Sequence, residues 1–385
     1  MKKKKICVVI TARPSYSRIK TALQAIKDHS DLELQIVVAA SALLNRYGDV
    51  FKIIENDGFE ITGKVYMIFE GENLVTSAKS TGIGLSELAT IFDNIKPDMV
   101  VTIADRFETI ATAIAAAYLN IPLVHIQGGE VTGSIDEKVR HAITKLADLH
   151  LVSTQKAKER VIKMGESSES VFVTGCPSID LAAKILKNPV MDFNPFKKYS
   201  SVGSDLNISE KYIVVLQHPV TTEYNLAREH VTETLYAVYD TGLPCMWFWP
   251  NVDAGSDGTS KGIRTFREYH PISNIRFFKN MLPEDFLKLI YFSKCIVGNS
   301  SVGIRESSFL GVPSVNIGNR QNMRERGNNI YDVPYDRKEI VKGLKKQSDI
   351  GRFKSDNLYG DGNSGERIAK ILATYPIKIE KYLTY

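Results

Sequence analysis

The chain has little cysteine for its 385 residues: Cys7, Cys176, Cys245 and Cys295 lie far apart, and no two of them make a CxxC pair. Without paired cysteines there is no disulfide framework to organise a fold, and the four thiols read as buried groups in a reducing compartment. Long apolar runs are missing too. The stretch from Ile6 to Ile10, after Lys2 to Lys5, ends at Thr11 and Arg13, too short for the apolar region of a signal peptide, and nothing approaches a membrane span. Neither sign of charge dominates, because 49 Lys and Arg face 44 Asp and Glu for a net charge of +5, with the basic residues dispersed beyond Lys5. That balance suits a small anionic ligand and argues against a nucleic-acid surface. There is no fixed repeat, no low-complexity tract and no HExxH spacing among the seven histidines. The expectation is a cytoplasmic protein with no metal, no cofactor and no nucleic-acid or membrane partner, long enough for two domains.

What is present centres on His125 to His150, HIQGGEVTGSIDEKVRHAITKLADLH. The apolar run Ile121 to Val124 gives way to His125, Gln127, two glycines and Glu130, which reads as a strand emptying into a polar loop. The loop then enters a helix whose apolar positions Val139, Ala142, Ile143, Leu146 and Leu149 recur at helical spacing. Asp136 and Glu137 sit at its start, where carboxylates favour the positive helix end, and Arg140 and His141 lie on its polar side. Any one of these has a structural explanation as a cap or a solvated charge. Their density beside Gly128, Gly129 and Gly133 marks the loop as a site.

The same strand-then-helix grammar runs along the chain. Ile6 to Ile10 ends in Thr11-Ala12-Arg13-Pro14-Ser15-Tyr16-Ser17 before a helical segment, Arg18 to Ile26, and an Arg with serines at a helix N-terminus makes a phosphate site. Leu32 to Ala40 reads as a strand, Ala42 to Asn56 as a helix, and Gly82 and Gly84 as helix-start glycines. DMVVTI, from Asp98, is a buried strand with Asp105 and Arg106 at its carboxyl end, and Asp105 with Glu108 opens the helix Thr109 to Leu119. Alternation of this kind predicts parallel sheets with helices on both faces and ligands at the carboxyl ends of strands. Arg13, Asp105, His125 and Glu130 all occupy such ends.

Residues 188–207 are rich in Asn, Pro, Ser, Gly and Lys and read as a linker between a first domain, 1–187, and a second, 208–367. In the second, Tyr212 to Gln217 ends at His218, Pro244 to Trp249 at Asn251, Lys294 to Val297 at Gly298-Asn299-Ser300-Ser301, and Pro313 to Ile317 at Arg320. Small residues at a helix start suit a diphosphate, and Glu306 one turn on suits a ribose diol. A core imidazole for His218 and a surface glutamate for Glu306 are the plainer alternatives.

Taken in order, the Arg13 to Ser17 turn, Asp105-Arg106, GGEVTGSIDEKVRHAITKLADLH, GCPSID from Gly175, QHPVTTE from Gln217, PNVDAGS from Pro250, GNSSVGIRE from Gly298, GNRQ from Gly318 and YGDGN from Tyr359 carry a resemblance. Over nearly its whole length the chain resembles the hydrolysing UDP-N-acetylglucosamine 2-epimerases, including the epimerase part of the bifunctional enzyme of sialic-acid synthesis and its bacterial counterparts. The resemblance implies a GT-B architecture: two Rossmann-like α/β domains with parallel sheets facing an interdomain cleft, and a tail, 368–385, packed on the first. It implies a cytoplasmic homo-oligomer, dimer or tetramer, that converts UDP-N-acetylglucosamine and water to N-acetylmannosamine and UDP. UDP leaves to give a glycal, and water adds with inversion at C2. By position, Asp105 and Asp136 match the catalytic carboxylates, with Glu130, Gln127 and His141 around them. Arg13 and Ser17 match phosphate contacts, Arg106 a sugar or phosphate contact, His218, Asn251 and Arg320 nucleotide contacts, Ser300 and Ser301 diphosphate contacts, and Glu306 the ribose contact.

Three positions depart from the family pattern: Ile103-Ala104 stands for His-Gly, Gln127 for Glu, and Arg13-Pro14-Ser15 for Arg-Ala-Asp or Arg-Ala-Glu. Glutamine cannot exchange a proton as a carboxylic acid does, so Glu130, Asp136 or His141 must take over any acid-base work at 127. The departures leave open a UDP-diacetamido-trideoxyhexose substrate of a legionaminic-type pathway. A GT-B glycosyltransferase, a nucleotide-sugar binder without turnover and a non-hydrolysing epimerase are the competing classes.

Overall fold

The computed structural model describes residues 2–45, 48–71, 73–103, 106–132, 135–207, 211–250, 253–376 and 378–385. The chain forms two compact units. One comprises Met1–Glu130, Ile135–Asp180 and Tyr359–Tyr385, the other Val131–Ser134 and Leu181–Leu358.

In the first unit the chain runs β1 (Lys4–Ile10), α1 (Arg13–Asp28), β2 (Leu32–Ala39), α2 (Val50–Asn56), β3 (Gly63–Val65), α3 (Leu74–Ile95), β4 (Met99–Ile103), α4 (Thr109–Tyr118), β5 (Leu123–Ile126), α5 (Ile135–Leu146), β6 (Leu149–Val152), α6 (Gln155–Lys163), β7 (Val171–Val173) and α7 (Pro177–Lys187), whose second half belongs to the other unit. The strands form a parallel sheet of order β3-β2-β1-β4-β5-β6-β7. Strands covered on both faces are continuous apolar runs, as the buried Ile6 to Ile10 of β1 shows. Strand order reverses between β1 and β4, which brings the loops carrying Arg13 and Arg106 to one crevice at the sheet's carboxyl edge.

Two local expectations fail. The segment expected to be helical from Ala42 begins with a 3-10 turn, Ala40–Leu43, and α2 starts only at Val50, because Gly48 and Asp49 both adopt left-handed backbone that no helix can continue through. Gly84 lies inside α3 rather than at a helix start. A Cβ there would come within 2.3 Å of Met67 Cε, so the glycine serves close packing.

The second unit continues α8 (Pro195–Lys198), β8 (Ser201–Gly203), β9 (Ile213–Leu216), α9 (Ala227–Thr241), β10 (Cys245–Phe248), α10 (Ser256–Tyr269), β11 (Ile275–Phe278), α11 (Pro283–Phe292), β12 (Cys295–Gly298), α12 (Glu306–Leu310), β13 (Ser314–Ile317), β14 (Ile330–Val333) and α13 (Arg337–Ile350). Its sheet order is β14-β13-β12-β9-β10-β11-β8, parallel except for β8. The stretch read as a linker thus contains a helix and an edge strand that pairs with β11. Here the reversal falls between β9 and β12, and it sets the residues after Leu216 beside those after Gly298.

The chain then returns to the first unit as α14 (Ser364–Thr374), whose Ile368, Ala369 and Leu372 join the core made by Ile19, Leu23 and Ile26 of α1. Asp180 ties this return down. Its carboxylate accepts the backbone N–H groups of Ser364 and Gly365, each at 2.8 Å, and the Thr21 hydroxyl at 2.8 Å, so it caps α14 and holds α1 together. Among the described residues no helix is long and apolar enough to cross a membrane.

Candidate active site

In the first unit, α1 begins at Arg13 with Pro14 in its first turn, as the N-terminal preference for proline predicts. Burial lowers the Arg13 guanidinium to about 10, still cationic at neutral pH, and Ser17 donates back to the Arg13 carbonyl at 3.1 Å. After β4, Arg106 is buried and its Nε donates to Glu108 Oε1 at 2.7 Å, an ion pair with almost no solvent contact. The other carboxylate oxygen of Glu108 is buried with no hydrogen-bond partner among the described residues. Asp105 and Asn251 fall outside the described residues.

The loop after β5 is braced from within. Gln127 is buried in left-handed backbone, φ 67, an arrangement that costs a non-glycine residue roughly 1 kcal/mol, and its Nε2 donates to Cys176 Sγ at 2.8 Å. Glu130 is buried as well, accepting the Ser153 hydroxyl at 2.9 Å. Arg140, fully buried on α5, donates to the Glu130 carbonyl at 2.9 Å and to Glu137 Oε2 at 2.8 Å, while His141 Nε2 lies 2.9 Å from Glu137 Oε1. Asp136, half-buried in the first turn of α5, stands where the helix dipole favours a carboxylate. The result is a fixed array of carboxylates on one loop and one helix start.

In the second unit Asn299 is the hub. Its Oδ1 accepts the His218 N–H at 2.8 Å, its Nδ2 donates to the His218 carbonyl at 2.8 Å, and its own carbonyl accepts Arg320 Nη1 at 3.2 Å and Gln321 Nε2 at 2.8 Å. That brings His218 and Arg320 to one place. Gly298 makes the approach possible: a Cβ there would sit 2.1 Å from the Leu216 carbonyl oxygen, and its φ of +121 is glycine backbone. Ser300 caps the 3-10 turn Ser301–Gly303, and Arg305 Nη2 donates to Ser301 Oγ at 3.0 Å. Glu306 is buried, and its Oε2, 4.0 Å from Arg305 Nε, has no hydrogen-bond partner among the described residues.

Residues 24–373 match the family described as UDP-N-acetylglucosamine 2-epimerase. The chain belongs to that family. It is 33% identical over 374 residues, 97% of each chain, to a Legionella pneumophila protein named UDP-N,N'-diacetylbacillosamine 2-epimerase (hydrolyzing). It is 30% identical, over 96% of this chain and 95% of the other, to a Neisseria meningitidis UDP-N-acetylglucosamine 2-epimerase. A Neisseria meningitidis UDP-GlcNAc 2-epimerase crystallised with UDP-GlcNAc shares the fold, with TM-score 0.78, 17% identity and coverage of 96% and 99%. Within this epimerase-family chain, the local sequence does not single out Asn299 or Glu108 as functional groups, and the helical pattern puts Arg140 on the polar side of its helix. Arg140 is instead fully buried, and Asn299 and Glu108 are buried polar residues beside a strand end or loop. The signal available was a polar residue next to an apolar strand; the partners that give it meaning are distant in sequence.

Proposed function

We propose that the protein is a hydrolysing 2-epimerase of a UDP-N-acetylhexosamine, with UDP-N-acetylglucosamine as substrate and N-acetylmannosamine and UDP as products. The observation that carries the sugar in this reading is the match of residues 24–373 to the family described as UDP-N-acetylglucosamine 2-epimerase, and the hydrolysing chemistry is supported by the similarity to the Legionella relative named as hydrolysing. The chemistry asks for a base at C2, donors for the departing diphosphate and a group that handles water at C1. In this reading a carboxylate of the Asp105 and Asp136 pair removes the C2 proton, the C1–O bond breaks with its electron pair leaving on UDP, and a C1–C2 double bond remains. Water then adds its oxygen to C1 while C2 takes a proton on the opposite face. Glu130, braced by Ser153, takes the acid-base place that Gln127 cannot fill, and His141 acts through Glu137.

Arg13, Ser17 and Arg106 meet the phosphates and sugar, Ser300 and Ser301 the diphosphate, and His218, Asn251 and Arg320 the nucleotide. Glu306 takes the ribose hydroxyls, and its buried Oε2, without a partner among the described residues, supports that role, since a buried carboxylate oxygen is stabilised by a donor. A second reading keeps the chemistry and changes the sugar to a UDP-diacetamido-trideoxyhexose. It is favoured by the name of the Legionella relative and by the buried, apolar Ile103 at the end of β4, where the family pattern has an imidazole. The family reading also makes the protein a homo-oligomer, and sedimentation as a monomer at micromolar concentration would refute that.

Incubation with UDP-N-acetylglucosamine in heavy water, followed by NMR, tests the main reading. Free N-acetylmannosamine carrying deuterium at C2, with UDP released, is the expected result. A C2-deuterated sugar still bound to UDP would mean a non-hydrolysing epimerase. Turnover only of the diacetamido sugar would establish the second reading, because a pocket built for one set of hydrogen bonds strongly rejects another.

A further inference from the structure

The segment after α14 ends against α5, the helix that carries Asp136, Glu137, Arg140 and His141. A helix leaves its last carbonyls without partners inside the helix, and a cation there is favourable. Lys381 fills that place: its Nζ donates to the carbonyls of Thr144, at 3.4 Å, and of Ala147. The same ammonium lies 2.5 Å from Glu166 Oε2. Glu166 is almost fully buried and is the meeting point of three elements. Lys145 of α5 donates to it at 2.6 Å, His150 of β6 lies 3.1 Å from it, and Lys381 brings in the terminal segment. The segment has a second seat at Gly165, φ +90, where a Cβ would come within 2.7 Å of the Tyr385 ring and 3.2 Å of Leu383 Cδ2.

We infer that Lys381 is a positioning residue for the reaction proposed above, fixing the carboxyl end of α5 through Glu166 and the helix carbonyls so that the catalytic end holds its register. The inference rests on that functional reading. At its other end α5 is fixed by Arg140, which spans Glu130 and Glu137, so the helix is a rigid bar clamped at both ends. Releasing one clamp lets Asp136 drift, and displacement of a reacting group by about 1 Å costs on the order of 100-fold in rate. Lys381 acts through Glu166 and the carbonyls of Thr144 and Ala147.

The test compares the full-length protein with Lys381→Met, which keeps the apolar stem and removes the charge, and Lys381→Arg, which restores it. Amide hydrogen exchange over residues 135–146 is expected to accelerate in Lys381→Met and to recover in Lys381→Arg. In parallel kcat is expected to fall about 10-fold or more with KM and UDP affinity unchanged, and to recover with arginine. Unchanged exchange over α5 in Lys381→Met overturns the inference, and so does faster exchange with unaltered kcat. If the unmodified protein turns over neither UDP-sugar, the functional reading falls. The exchange measurement then still decides whether Lys381 holds α5.

Discussion

Replacing Asn299 with alanine is the most incisive perturbation of the second unit. The side chain is fully buried, accepts the His218 N–H and donates to the His218 carbonyl, each at 2.8 Å, and reaches the Tyr335 hydroxyl at 3.4 Å. Alanine removes both of these bonds to the buried backbone of His218. Each such loss costs about 1–3 kcal/mol, and the long Tyr335 contact adds little, so the unit should lose about 2–6 kcal/mol. Arg320 and Gln321 hold the Asn299 backbone carbonyl, and those bonds survive the substitution. Asn299→Asp should cost at least as much, because its carboxylate keeps the bond from the His218 N–H but faces the His218 carbonyl with no proton to offer. Both tryptophans, Trp247 and Trp249, lie in the second unit, so tryptophan fluorescence during guanidinium unfolding reports on that unit alone. UDP titration completes the assay, and weaker binding should accompany the loss because His218 loses two bonds that fix its backbone. A shift in unfolding free energy below about 1 kcal/mol, with UDP affinity intact, would refute the reasoning.

Asp136→Asn should abolish turnover with UDP affinity largely kept, and Glu306→Ala should weaken UDP binding; calorimetric titration beside a rate assay checks both, and the reverse pattern would undo the division of roles. Acid should loosen the first unit through Glu166. Burial alone would raise that carboxyl, but the hydrogen bonds from His150, Lys145 and Lys381 outweigh it and bring it from 4.5 down to about 2. Its contribution, about 3 kcal/mol, is therefore complete above pH 4.5 and is lost as pH falls towards 2. His150, whose pKa burial lowers, adds to the loss in the same direction, starting as pH falls below 6.5. Thermal melts of Glu166→Gln should show a shallower decline over that range than the unaltered protein. Gly298→Ala should destabilise the second unit severely, since the new methyl would sit 2.1 Å from the Leu216 carbonyl oxygen; a melt within a few degrees of the original would contradict it.

Much of the fold was legible because buried parallel strands are written as unbroken apolar runs. β1, β4, β9 and β12 all announce themselves in that way, and the polar residues at their ends mark where ligands meet such sheets. β11 escaped because IRFF interrupts its run with Arg276, a charge explained by Ser201, Ser204 and Asp205 in the segment around edge strand β8. β8 itself is three residues in a stretch whose composition is that of a loop. The site divides similarly. Arg13, Glu130 and Asp136 stand in motifs, whereas Asn299 acts on a residue 81 positions away and Glu166 on Lys381, and no local spacing encodes such partners.

The clasp at Asp180 has a consequence for the order in which the molecule is made. Asp180 and its partner Ser364 are separated by 184 positions, and between them the chain spells the whole of the larger second-unit segment, Leu181–Leu358. On the ribosome, the usual sequence of amino-terminal domain first is therefore inverted. The second unit is complete when Leu358 emerges, while the first still lacks the helix that fills the core beside α1. The first unit is thus the first begun and the last finished. Until α14 arrives, the apolar faces of Ile19 and Leu23 stay open to water, and that interval is when a nascent chain of this design depends most on chaperones.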